Sequence, residues 1–201
     1  MNYRRIMLTV FVLVFAIVLP ISAQEATEEP SNRYEGDGFS LYLPPNATVE
    51  ETEDGVVILG PELTIRPAEM DFTVGGAAYA LTITTAENPD GLSSEDWATE
   101  RILADWQTAQ EQGEMTGTMP VTDDGELREE DVQHLTVGGL DAFQVNFFGG
   151  DSTIVSVYVA HGDQVTVFNY VENIVENNPL ALVQQDIYAL LFDSVEFSTA
   201  E

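Results

Sequence analysis

The chain has 201 residues, of which 35 are Asp or Glu and only 6 are Lys or Arg, for a formal charge of −29. So acidic a surface repels nucleic acid and anionic membranes, and it suits basic partners, divalent cations or a salty medium, with its field screened beyond ~8 Å at physiological ionic strength. There is no cysteine, which excludes disulfides and thiolate metal sites.

Residues 1–23 read as a secretory signal. Arg4 and Arg5 form a basic start, Ile6 to Leu19 is an apolar run, and Pro20-Ile21-Ser22-Ala23 ends in a small residue suited to cleavage before Gln24. The run is short for a membrane span, which needs ~20 residues. A retained anchor is the alternative. No cysteine follows it to carry a lipid, so no stable membrane anchor is expected after cleavage. Losing both arginines leaves the mature chain more negative still. Residues 24–33 read as a disordered acidic linker, and 34–199 as a single α/β domain long enough to bury a core.

Phe39–Leu43 alternates, with Phe39, Leu41 and Leu43 on one side, and Pro44-Pro45 stops it; the prolines suggest a strand near an edge. Asn46-Ala47-Thr48 is a glycosylation sequon, read here as a turn. Gly55–Leu59 and Leu63–Arg66 read as short strands about the Gly60-Pro61 turn. Met70 to Gly76 is ambiguous, with loop one reading of it. Ala77–Thr85 is a strand in which Tyr79, Leu81 and Ile83 share a face, and Asn88-Pro89-Asp90-Gly91 ends it.

Ser93 opens a helix, with Asp96 completing a capping box. Ala98, Ile102, Trp106 and Ala109 recur at helical spacing beside Leu103, and Gly113 is a stop. Trp97 and Trp106 read as packing groups. The passage from Met115 to Asp131 is turn-rich and acidic.

Val132 to Val171 is the best-specified stretch. Val132–Val137 leads in, followed by antiparallel strands at Leu140–Phe148, Ser152–His161 and Gln164–Val171. Gly138-Gly139, Gly149-Gly150-Asp151 and Gly162-Asp163 make the turns, since two-residue hairpin loops need positive φ. Val155, Val157 and Val159 occupy one side of their strand, yet the second faces of these strands also carry Ile154, Tyr158, Phe168 and Tyr170. A sheet wet on one side would alternate more cleanly, so both faces are expected to be covered. Asn178 and Pro179 then start a second helix. Leu180, Val183, Ile187 and Leu190 form its expected buried stripe, with Leu191 adjoining. Val195–Phe197 is a last short strand.

Several of these pieces resemble a known family. Gly38-Phe39-Ser40-Leu41-Tyr42-Leu43-Pro44 is similar to the G-F-S-x-x-x-P opening of PsbP-like domains. Val137-Gly138-Gly139-Leu140-Asp141-Ala142-Phe143 is similar to their v-x-G-x-x-A strand entry. Val157–Tyr170 resembles their paired strands about a short turn, and Leu191-Phe192-Asp193-Ser194-Val195-Glu196-Phe197 their terminal i-x-x-S-F-x-F. The resemblance implies an α+β fold, an α/β/α sandwich whose central antiparallel sheet is flanked by helices. The family includes lumenal photosystem accessory proteins and bacterial exported proteins without assigned chemistry. Photosystem members dock through basic residues, whereas this chain has no Lys; no functional residue is carried over.

Chemistry is sparse. His134 and His161 lack the H-x-x-H or H-E-x-x-H context of a metal site. Ser152, His161 and Asp151 or Asp163 make a triad only on paper, with no nucleophile elbow around Ser152. Asp123, Asp124, Glu126, Glu129, Glu130 and Asp131, with Gly125 for a turn, form the best local acidic cluster. Hard cations take such oxygens, and Ca²⁺ is the candidate ligand, although the order is not that of an EF-hand. The reading is therefore an exported, non-enzymatic module that binds or assembles with an unknown, basic protein partner. A secreted hydrolase using His161 or a carboxylate pair, or a weak divalent-cation-binding protein, is the alternative.

Overall fold

In the computed structural model, residues 32–65, 74–113, 118–149, 152–173 and 179–198 are described. The proposed signal, most of the linker, and Arg66, Gly150, Asp151, Asn178 and residues 66–73 lie outside them. Arg33, which composition assigned to the linker, opens the first strand.

Among the described residues, twelve strands and two α-helices follow in order: β1 (Arg33–Glu35), β2 (Phe39–Tyr42), β3 (Thr48–Thr52), β4 (Gly55–Leu59), β5 (Glu62–Ile65), β6 (Val74–Ala77), β7 (Ala80–Glu87), α1 (Ser94–Gln112), β8 (Val132–Val137), β9 (Leu140–Phe148), β10 (Ser152–His161), β11 (Gln164–Asn173), α2 (Pro179–Asp193) and β12 (Glu196–Phe197). A seven-stranded sheet runs β3-β4-β7-β11-β10-β9-β8, and every pairing in it is antiparallel. β1-β2-β12 and β5-β6 form smaller sheets. This is the expected α+β architecture.

Both faces of the large sheet are covered. On one, Phe143, Val145, Tyr158, Val165 and Val167 pack against Ala98 and Ile102 of α1. On the other, Val155, Val157, Val159, Phe168 and Tyr170 meet Tyr188 and Leu191 of α2 together with Phe39 and Leu41 of the β1-β2-β12 sheet. Ile154 contributes to neither cluster and is exposed.

Half of the expected capping box at α1 is formed, since the Asp96 carboxylate accepts from the Ser93 hydroxyl at 2.7 Å rather than from its backbone N–H. Ser93 Oγ accepts from the Asp96 backbone N–H at 3.1 Å, and at the far end Gly113 takes φ 72°. That left-handed angle is what glycine supplies without strain. Trp97 and Trp106 pack against the α1-side core, as expected of packing groups.

Four readings change. The expected stripe of α2, Leu180, Val183, Ile187 and Leu190 beside Leu191, holds only in part: Ile187 packs against the core and Leu191 is buried, but Val183 and Leu190 are about half exposed, Gln184 and Tyr188 are buried in their place, and the side chain of Leu180 lies outside the described residues. Polar tips on that face reach the sheet backbone. Gln184 Nε2 donates to Ala78 O at 2.9 Å, and the Tyr188 hydroxyl donates to Ala80 O at 3.1 Å. β2 is not at an edge but in the middle of its sheet. Thr48–Thr52 forms strand β3, which the sequence reading passed over. The strand expected over Ala77–Thr85 is two, because Ala78 and Tyr79 turn aside to bond Pro61 O and the Gly60 N–H, both at 2.9 Å. Asn46 does sit in a turn, with φ 64°.

Candidate functional site

The turns of three hairpins gather at one end of the domain: Gly36-Asp37-Gly38 between β1 and β2, Gly138-Gly139 between β8 and β9, and Gly162-Asp163 between β10 and β11. With β12 they enclose a cavity of about 540 Å³, whose walls include Leu140, Ala160, His161, Gln164, Phe197 and Ser198. Such a volume lies in the range of small-ligand sites. Gly38 sits at φ 77°, and a Cβ there would lie 3.1 Å from both Gln164 Oε1 and His161 Cε1. Glycine keeps this mouth open.

His161 ends β10 and pairs with Gln164 across the turn. Its diagonal neighbour on the α2 side is Thr166, which is fully buried, and His161 Nε2 lies 2.7 Å from Thr166 Oγ1. The ring lies against Phe197, centroids 4.6 Å apart. Burial pushes the imidazole below its ordinary pKa, and this outweighs Asp163 and Asp37, which push it up. A neutral imidazole offers one donor and one acceptor nitrogen, so the cavity combines an apolar wall with an uncharged polar group.

The paper triad is not assembled. Ser152 pairs with Asn173 at one end of β10 and His161 with Gln164 at the other. Nine residues of strand separate them by roughly 30 Å. His134 lies elsewhere, an exposed residue of β8, with its ring centroid 5.3 Å from that of Phe143 and its Nε2 3.9 Å from Glu95 Oε2.

The acidic loop is a small hairpin. Val121 bridges Leu127, the Thr122 N–H donates to Glu126 O at 2.8 Å, and Gly125 takes φ 83° beneath which Trp106 packs. Asp123, Asp124 and Glu126 line its tip; Glu129 and Glu130 follow on a short 3-10 turn, and all five are exposed. Asp131 differs: it is 2% exposed and turns inward to Arg128. That contact is an ion pair in distance rather than an aligned hydrogen bond. The aligned bond of the guanidinium is its Nη2 donation to Met119 O at 2.8 Å. Among the described residues, no group of three or more His, Asp or Glu side chains converges as metal ligands.

Positive charge is consumed locally. Besides Arg128, Arg33 pairs with Glu196 at 3.3 Å and Arg101 with Asp105 at 3.5 Å. Among the described residues, every arginine therefore stands beside a carboxylate, and acids far outnumber these three cations. No described helix is long and apolar enough to cross a membrane.

The sequence reading missed Thr166 and Phe197 as the partners of His161. The register of a two-residue turn was the available signal, since it makes Thr166 the diagonal neighbour of His161.

No family model and no curated protein matches the chain. Among solved structures, a crystal structure from Bacteroides thetaiotaomicron aligns with a TM-score of 0.46 and 11% identity over 83% of this chain, which spans about half (48%) of that protein. The solution structure of cyanobacterial PsbP (CyanoP) from Synechocystis aligns with a TM-score of 0.51 and 12% identity, covering 90% of this chain and 100% of the cyanobacterial one. At that identity the likeness concerns the fold alone, and the fold of this chain is PsbP-like.

Proposed function

We propose that this is an exported, non-enzymatic binding module that presents its acidic surface to a basic protein partner. The observation that carries the reading is the local consumption of positive charge: Arg33, Arg101 and Arg128 are each paired with a carboxylate, within a chain of formal charge −29. An acidic surface attracts cationic partners over long range and speeds their encounter, an effect that salt removes.

The test is affinity capture from the envelope or secreted fraction at low and high salt, followed by binding of the purified partner. Recovery of a basic protein whose affinity falls with salt supports the reading. Recovery of nothing at either salt, together with turnover in a hydrolase screen that His161→Ala abolishes, overturns it in favour of an enzyme at the His161 cavity.

A further inference from the structure

Among the described strands, β3 and β8 are the two edges of the large sheet, and they differ in kind. Open edges invite pairing with another chain, and proteins blunt them with charges, prolines, bulges or short strands. β3 carries Glu50 and Glu51, both exposed. β8 is Val132-Gln133-His134-Leu135-Thr136-Val137, with neither a carboxylate nor a proline in a chain where 35 of 201 residues are acidic.

The free groups on β8 can be assigned. Val137 and Leu140 flank the two-residue turn and are paired, so they bond to each other. Antiparallel pairs alternate between bonded and unbonded. Leu135 and Gln133 therefore also bond inward to β9. The N–H and C=O of His134 and Thr136 and the C=O of Val132 point outward, while the Val132 N–H belongs to the 3-10 turn at Glu129–Asp131. No other described strand pairs with them. From Val132 to Thr136 is about 14 Å at the strand rise of ~3.4 Å per residue, which matches an extended segment of about five residues.

The rim of this edge is acidic. Glu129 and Glu130 precede β8, Asp141 is the cross-strand neighbour of Thr136, and Glu95 on the first turn of α1 reaches His134; all four carboxylates are exposed. The nearby Arg128 is engaged by Asp131 and Met119. We propose that β8 is a docking edge that takes an extended, Lys- or Arg-bearing segment of a partner protein as an added strand. Main-chain bonds to Val132, His134 and Thr136 hold it, and the four carboxylates select its charge. A second copy of this chain would bring the same acidic rim against itself, so charge favours the basic partner. This rests on the binding-module reading and names the surface that module uses.

The test uses the purified chain and an end-capped peptide of alternating Lys and Thr, alongside the same peptide N-methylated at alternate residues, which keeps its charge and loses strand donors. In about 0.01 M salt, where screening is weak, the unmethylated peptide should shift the amide resonances of His134 and Thr136. Thr136→Pro removes an outward N–H outside the ladder, so an unchanged urea midpoint is expected with at least about tenfold weaker binding. N-methylation should weaken binding similarly. Equal affinity for both peptides, or full affinity after Thr136→Pro, overturns the edge while leaving a salt-sensitive acidic surface intact. No binding of either peptide at low salt overturns both readings. A peptide-free dimer that Thr136→Pro dissolves replaces the basic partner with a second copy.

Discussion

The hydroxyl of Ser94 accepts the backbone N–H of Ala160 at 2.9 Å, and it donates to Asp141 O at 2.8 Å. The β9–β10 register runs as far as Val159 opposite Ala142. The next pair would be Ala160 and Asp141, and there the first residue of α1 takes the place of a rung. One side chain thereby joins helix and sheet at a site only 6% exposed. Ser94→Ala leaves a buried donor and acceptor unpaired, with an expected loss of about 1–3 kcal/mol. Ser93→Ala removes only the cap, at about 1 kcal/mol. Urea midpoints of the two variants should fall in that order.

The inward face of α2 makes a second contrast. Leu191 is fully buried and its neighbour Leu190 is 50% exposed. Leu191→Ala should cost about 2–5 kcal/mol, and Leu190→Ala no more than about 0.5 kcal/mol. Equal effects in chemical denaturation would contradict the placement of this helix. Tyr188→Phe adds a finer test, because it strips the hydroxyl partner from Ala80 O; a loss of about 1–3 kcal/mol is expected if that carbonyl is left unpaired.

His161 should titrate below its ordinary value of about 6.5, and the ring-proton NMR signal reads this directly. Burial depresses the folded-state value, so below about 6.5 the unfolded chain takes up more protons than the folded one. The contribution of this residue to stability is present above about 6.5 and is lost as pH falls through the folded midpoint. His161→Asn should therefore lose less stability than the wild type on acidification. A midpoint at or above the ordinary value would show that the carboxylates of Asp37 and Asp163 dominate instead.

Dispersal of the acidic loop leads to a further expectation. A cation that binds only the folded state raises stability by RT ln(1 + [L]/Kd). With Asp131 turned to Arg128 and the other five side chains spread along a hairpin and the 3-10 turn, CaCl₂ should raise Tm no more than NaCl of matched ionic strength. A clear excess for Ca²⁺ would identify a site that the geometry does not display.

Export is tested by N-terminal sequencing of protein from its native host. Cleavage after Ala23 gives a mature chain beginning at Gln24. A chain still beginning at Met1 would favour the retained anchor.

The hairpins from β8 to β11 and the ends of α1 were legible in the sequence because their signals are local: glycine at positive-φ turns, serine with aspartate at a cap. The inward face of α2 was not, because its buried Gln184 and Tyr188 are chosen for bonds to the backbone at Ala78 and Ala80, more than a hundred positions away. Hydropathy alone ranks Val183 and Leu190 above them. β3 was passed over because Glu50 and Glu51 are poor strand formers and most of its side chains are exposed. Pro44-Pro45 misplaced β2 at an edge, although both prolines lie beyond Tyr42, its last paired residue. At the cavity, His161 was legible as a hairpin residue, but Phe197 reaches it only through the small sheet.

That small sheet sets an order of events during folding. Phe39 pairs with Phe197, and Arg33 donates to Ser194 O across 161 positions of chain. Loops of such length close late, since their entropy is lost before any contact compensates. The large sheet can assemble its hairpins one after another, but the layer beside α2 must wait for residues near position 197 to arrive. A chain emerging from a ribosome therefore keeps Phe39 and Leu41 unsheltered until residues near position 197 have been made, and in that interval their apolar side chains are open to holding chaperones and to proteases.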